Sequence, residues 1–317
     1  MAQKPLDRNL PAKKYKHTNP TEVRLSFEFT GNSTQFIDIG AALSAINRKF
    51  VSQQAYFYVS KVELYNNEDA FVDIHTVPDT WVTRNAYRRG RAVFESMNER
   101  VMKDNMISGL TPKYYDFKVY MSDRHRTTGT SLPVLYDINS VPTPVGQDEW
   151  QYVQLVSADD DLDATADADE FYLHLLGDHN GSSANWISVG LIKSYAESRV
   201  TVLSSDPDST QIDLGDPLMN VIDYSSEEQV NDIVENLSGH NDSPPYDYDG
   251  YVGEAAGSMA QQARLVTTST LGRTDSAPGF CAPFGLICVD PQSTATAFRI
   301  VLTLAPGTYH GVYAERV

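Results

Sequence analysis

The stretch Glu22-Val-Arg-Leu-Ser-Phe-Glu-Phe-Thr30 decides the fold class. Val23, Leu25, Phe27 and Phe29 alternate with Glu22, Arg24, Ser26 and Glu28, a period of two that predicts a strand with one face buried and one wet. Gly31-Asn32 closes it. The same signal returns at Ala55–Tyr65 (AYFYVSKVELY), ended by Asn66-Asn67, and at 71–77. Further strand-like runs lie at 114–121, 150–156, 171–176, 186–191, 199–203, 264–270, 286–290 and 297–304. Many strands, few helices and no strand–helix–strand rhythm predict an all-β chain, a sandwich or barrel in preference to a doubly wound sheet.

Two helices interrupt this pattern. Residues 41–50 (AALSAINRKF) read as a short one. Residues 78–103 (PDTWVTRNAYRRGRAVFESMNERVMK) read as a longer one, capped by Asp79 or Thr80 and weakened by Gly90. At about 100° per residue, Tyr87, Phe94, Met97 and Val101 form an apolar stripe, while Arg84, Arg88 and Arg91 form a neighbouring basic one. One side predicts a core and the other an anion or solvent.

From Asp206 to Asp249 there are twelve acids and neither Lys nor Arg, with four prolines breaking the chain. One amphipathic helix fits inside this stretch, with Ser225 and Glu228 as a capping box and Val230, Ile233, Val234 and Leu237 as its apolar stripe. Residues 204–258 therefore read as a long acidic insertion on the solvent side of a β framework.

Charge is divided unevenly along the chain. Residues 1–126 carry 19 of the 25 Lys and Arg against 14 of the 42 acids, although the whole chain has a formal net charge of −17. Such a polarity suits a protein with a polyanion on one side and solvent on the other. Residues 1–20 contain Lys4, Arg8, Lys13, Lys14 and Lys16 against Asp7 alone, with three prolines, and read as a short flexible basic arm. The N-terminal stretch has no apolar run, which predicts no signal peptide, and no segment reaches the ~18 apolar residues of a membrane span. Cys281 and Cys288 provide no disulfide framework.

One local pattern has metal-ligand spacing. Asp159, Asp161, Asp163, Thr165, Asp167 and Glu170 fall at the oxygen-donor positions of an EF-hand-like loop, but Ala164 stands where that loop turns on Gly, and both flanks alternate like strands. The loop reads either as a solvated acidic hairpin or as a calcium site of different geometry; no other cofactor is indicated. HExxH, GxSxG and phosphate-loop glycine patterns are missing, so no enzyme is expected. Arg124-His125-Arg126 adds a small cluster of candidate phosphate donors.

The segments PGFCAPFGLICVD at Pro278–Asp290, FRIVLTLAPGTYHGVYAERV from Phe298, SPPYDYDGY at Ser243–Tyr251 and WVTRNAYRRG from Trp81 resemble capsid proteins of small circular single-stranded DNA viruses that encode a replication initiator. The resemblance implies a single jelly roll over 21–317, eight antiparallel strands in two facing sheets. It also implies many copies assembled into a small icosahedral shell around the genome, made in the host cell and found in the virion. The basic arm and Arg84, Arg88, Arg89 and Arg91 would then face inward to neutralise phosphate without reading sequence, and the acidic insertion would face outward. The arm is short beside the Arg-rich tails of such proteins. The rival expectation is a β-sandwich binding module that uses the Asp159–Glu170 loop for calcium.

Overall fold

The structure, a computed structural model, describes residues 20–104, 113–156, 170–182, 185–199, 250–254, 258–268, 272–292 and 297–317, with Asn231, Pro245 and Tyr246. The elements run in the order β1 (Arg24–Thr30), β2 (Gln35–Asp38), α1 (Ile39–Asn47), β3 (Ala55–Asn66), β4 (Ala70–Thr76) and α2 (Trp81–Asp104). Then follow β5 (Tyr120–Ser122), α3 (Asp123–Thr128), β6 (Val134–Tyr136), β7 (Pro142–Pro144), β8 (Gln154–Val156), β9 (Glu170–Leu176), β10 (Asn180–Ser182), β11 (Asn185–Gly190) and α4 (Leu191–Glu197). The chain ends with β12 (Ala260–Thr267), β13 (Thr274–Ala282), a 3-10 turn (Pro283–Gly285), β14 (Leu286–Pro291), β15 (Ala297–Leu304), β16 (Pro306–Tyr309) and β17 (Ala314–Arg316). Two compact units are distinguished, Met1–Tyr195 with Val252–Val317, which holds every described strand, and Ala196–Tyr251.

The protein is mostly β, and its two principal sheets are antiparallel throughout. One has the order β1-β15-β3-β13, with β17 also on β3, and the other has the order β12-β4-β14-β2. Alternation in the sequence sets which faces are buried. Leu25, Phe27 and Phe29 of β1, Leu64 of β3 and Ile300 and Leu302 of β15 join Ile37 of β2, Ile74 of β4, Leu265 of β12 and Ile287 and Val289 of β14 in one buried cluster. Each such side chain contributes roughly 1.5–3 kcal/mol by leaving water.

Strands β4 and β12 are neighbours, and Thr76 at the end of β4 faces Ala260 at the start of β12. Everything from 77 to 259 therefore leaves and returns at one strand pair. The inserted stretch is longer than the 204–258 expected from composition, because the runs near 120, 155, 173 and 188 form a sheet of their own, β10-β11-β9-β5 with β8 on β9. In it β9 pairs in parallel with both β5 and β11, which the expectation of antiparallel strands throughout did not include.

Helix α2 begins as its sequence suggests, with Thr80 Oγ1 accepting the N–H of Thr83 at 3.2 Å. Tyr87 is buried, stacks on Phe284 at 4.2 Å between ring centroids and donates its hydroxyl to the Phe117 carbonyl at 3.0 Å. Phe94 is buried as well, but Met97 is half-buried and Val101 exposed, so the apolar stripe is covered only along the first half of the helix. A Cβ on Gly90 would lie 2.7 Å from Leu191 Cδ2, which explains a glycine inside the helix: it lets α4 approach.

The inserted stretch is tied to the sheets by a buried amide. Gln53 is fully buried; its Oε1 accepts the Val119 N–H at 2.7 Å, and its Nε2 donates to the Val119 carbonyl at 3.1 Å and to Asp38 Oδ2 at 3.0 Å. Replacing Gln53 with Ala leaves these groups buried and unpaired, so we expect a loss of about 3 kcal/mol or more, measurable as a lower urea midpoint. An unchanged midpoint would mean that water replaces the amide at no cost.

Candidate nucleic-acid interface

Helix α2 presents the expected basic residues, but several are already engaged. Arg84 forms a two-pronged ion pair with Asp79, at 2.9 to 3.1 Å, and lies over the Tyr56 ring at 4.6 Å. Arg91 pairs with Glu95 at 2.7 Å, and Arg89 donates to the Ser194 carbonyl at 3.0 Å. Arg88 is exposed and makes no ion pair among the described residues. The helix therefore carries a weaker positive field than four arginines suggest, since exposed ion pairs hold opposite charges together at little cost.

The other candidates divide clearly. Lys4, Arg8, Lys13, Lys14 and Lys16 lie outside the described residues, as do Asp159, Asp161, Asp163, Thr165 and Asp167 of the acidic loop. Glu170 is described; it opens β9, exposed, opposite Val156. In the 124–126 cluster, Arg126 pairs with Asp123 at 2.8 Å and Arg124 is exposed. His125 is not a phosphate donor: it is fully buried and stacked on Phe36 at 4.8 Å.

His125 instead heads a chain of directed hydrogen bonds. Its Nδ1 accepts the Met121 N–H at 3.1 Å, which leaves the proton on Nε2 for Thr130 Oγ1 at 2.8 Å. Thr130 bonds the Tyr152 hydroxyl at 2.7 Å, and Tyr152 donates to Asp38 Oδ2 at 3.2 Å. Asp38 also accepts from Trp150 Nε1 at 3.2 Å, Gln53 Nε2 at 3.0 Å and the Ala41 N–H at 3.1 Å, the last as the cap of α1. Burial pushes the Asp38 carboxyl up to about 6, against the pull of these donors.

Beside this network lies a cleft of about 690 Å3 whose wall includes the cations Arg48, Lys49, Lys113 and Lys118, the rings of Phe50, Tyr114 and Trp150, and the carboxylates of Asp116, Asp148 and Glu149. Cations and rings are interleaved there. Lys118 Nζ stands 4.4 Å from the Trp150 ring centroid and 5.9 Å from that of Phe50, and Lys113 Nζ stands 5.3 Å from that of Tyr114. Phe50 lies between Tyr114, at 5.9 Å, and Trp150, at 6.3 Å. Lys118 is only 6% exposed, and no carboxylate forms an ion pair with it among the described residues. Nearby Asp116 is already occupied by Ser52, the Gln53 N–H and Gln54. Desolvation lowers the Lys118 ammonium below its ordinary range, while Asp116, Asp38 and Glu149 oppose that shift.

None of this cleft was read from the sequence. Lys118 passes there for the wet position of a strand, and its partners come from the end of the helix expected at 41–50 and from the strand-like runs at 114–121 and 150–156. The available signal was the density of Tyr, Trp and Lys at 113–118 and 150–152. Compared with protein-family models, curated proteins and solved structures, the chain matches none. Among the described residues no helix is long and apolar enough to cross a membrane.

The buried histidines set a pH dependence. Burial lowers His125 to about 3 and His174 to about 4, against an ordinary value of 6.5. Both are held neutral when folded, so their contribution is complete above pH 6.5 and is lost as pH falls. Asp38 acts in the opposite sense: it keeps its proton when folded, so its contribution is complete below 3.8 and is lost as pH rises through about 6. The histidines outweigh it, and we expect a net loss of about 2 kcal/mol between neutrality and pH ~5. Denaturant melts at a series of pH values check this. His125→Gln should remove roughly half of the histidine share, and a slope unchanged by that substitution would contradict the assignment.

Proposed function

We propose that this chain is a coat protein: a jelly-roll subunit that assembles with copies of itself into a small icosahedral shell around a single-stranded DNA genome. The observation that carries the reading is the strand order. Ranked along the chain, β1 to β4 and β12 to β15 are divided between the two principal sheets as 1-8-3-6 and 2-7-4-5, the order of a jelly-roll sandwich. The buried cluster that draws on both sheets supports the same architecture.

Jelly rolls also serve lectins and metal-dependent enzymes, so the fold alone does not select a coat protein. The charge division supports that choice. Basic residues concentrate in the arm, in α2 and around the cleft, while 28 of the 42 acids fall after residue 126. A shell subunit has a use for that separation, because its inner surface meets phosphate and its outer surface meets solvent. The sequence resemblance to capsids of small circular single-stranded DNA viruses points the same way, and the virion is the location it implies.

Size-exclusion chromatography with light scattering and absorbance at two wavelengths tests the reading on the purified protein. A megadalton particle rich in nucleic acid is expected. A monomer near 35 kDa across salt and calcium concentrations would replace the proposal with a β-sandwich binding module. If α2 faces the genome, replacing Arg84, Arg88 and Arg91 with Gln lowers the nucleic-acid content of the particle and leaves its protein mass unchanged. Undiminished nucleic acid would remove α2 from the inner surface.

A further inference from the structure

We propose that the cleft between α1, residues 113–118 and residues 146–154 is a nucleotide pocket: it takes one nucleotide of a single strand, with a phosphate on Lys118 and the base on the row Tyr114, Phe50 and Trp150. The assignment deepens the coat-protein reading and rests on it only for the polymer that supplies the nucleotide.

The strongest indication is Lys118. Its ammonium is 94% withdrawn from solvent and makes no direct ion pair among the described residues; the rings of Trp150 and Phe50 and the charges of Asp116, Asp38 and Glu149 offset part of the cost of burying it. An anion arriving in the cleft adds a partner in direct contact.

The surrounding groups narrow the class of anion. Tyr114 is 58% exposed and continues the aromatic row outward from Phe50, offering a ring face to a planar group. Trp150 is held in place by its hydrogen bond to buried Asp38, so little side-chain freedom is lost when a ligand settles on it. Arg48, in the left-handed conformation (φ 49°, ψ 41°) that usually falls to Gly or Asn at a helix end, and Lys113 add cations at the rim. Stacking faces beside cations are what a flexible single strand needs, whereas a free inorganic anion has no use for the rings. The cleft volume of about 690 Å3 lies inside the roughly 300–1,000 Å3 usual for small-molecule sites.

The position of the arm agrees with this assignment. Lys49, on the cleft wall, donates to the Pro20 carbonyl at 2.9 Å, so the chain carrying Lys4, Arg8, Lys13, Lys14 and Lys16 joins the described protein at the edge of the cleft. Arm and pocket thus begin at one place on the surface, and a strand seated in the pocket lies beside the root of the arm.

The test uses the full chain and a fluorescent oligothymidylate of about ten nucleotides, read by anisotropy at several salt concentrations. Tyr114→Ala, at an exposed position where folding is preserved, should weaken binding about 5- to 100-fold, the range for removing one stacking platform. Lys118→Met, which keeps the apolar stem against the rings, should weaken binding and flatten the salt slope by about 0.7. Thymidine monophosphate should displace the oligonucleotide at lower concentration than inorganic phosphate does. Equal competition by the two anions, or wild-type affinity in Tyr114→Ala, would overturn the nucleotide assignment. So would failure to bind the oligonucleotide together with altered particle mass in the variants, since a segment of a neighbouring copy would then fill the cleft. Light scattering on the same samples separates this proposal from the coat reading. Particles with unaltered variant affinity defeat the pocket alone, and a monomer whose binding falls in both variants defeats the coat reading alone.

Discussion

The fully buried pair Asp38 and Gln53 is the constraint on which the rest of the molecule depends. Asp38 makes no ion pair among the described residues, yet side-chain donors from Gln53, Trp150 and Tyr152 and the N–H of Ala41 converge on its two oxygens. Gln53 pairs with both backbone groups of Val119, as a neighbouring strand would. Such a network has high stakes in a low dielectric: complete, it fixes one arrangement of strand, helix and inserted segment, and incomplete, it leaves charge and amide groups without water. It also sets the Trp150 ring on the wall of the cleft, so fully buried polar groups shape a cleft open to solvent.

Local sequence carried much of the framework. The alternation at Val23–Phe29 and Ala55–Tyr65 corresponds to β1 and β3, Thr80 caps α2, and the short helix near 41–50 is α1 with Asp38 as its cap. What alternation cannot show is the partner of a strand. The runs near 120, 155 and 173 have the same period as β1, but they pair with one another and partly in parallel, because period reports which face is wet and is silent about register. The cleft was illegible for a related reason. Arg48, Lys118 and Trp150 are far apart in sequence, and their segments are brought together by tertiary contacts, Gln53 with Val119, Ser52 with Asp116 and Asp38 with Trp150.

Charge counting needed similar correction. The arginines of α2 form a stripe by spacing, but Asp79 and Glu95 neutralise two of them locally. A buried lysine that looked ordinary in sequence, by contrast, makes no ion pair among the described residues and is held beside two aromatic rings. The number of like charges on a helix face describes its field poorly when carboxylates stand one turn away.

The closure of residues 77–259 at the single pair Thr76 and Ala260 bears on how the chain acquires its structure. Strands β4 and β12 are neighbours in space but separated by most of the sequence, and closing so long a flexible loop costs roughly 2–3 kcal/mol more in entropy than closing one of about ten residues. That cost falls if the intervening segment condenses first and brings its own ends together.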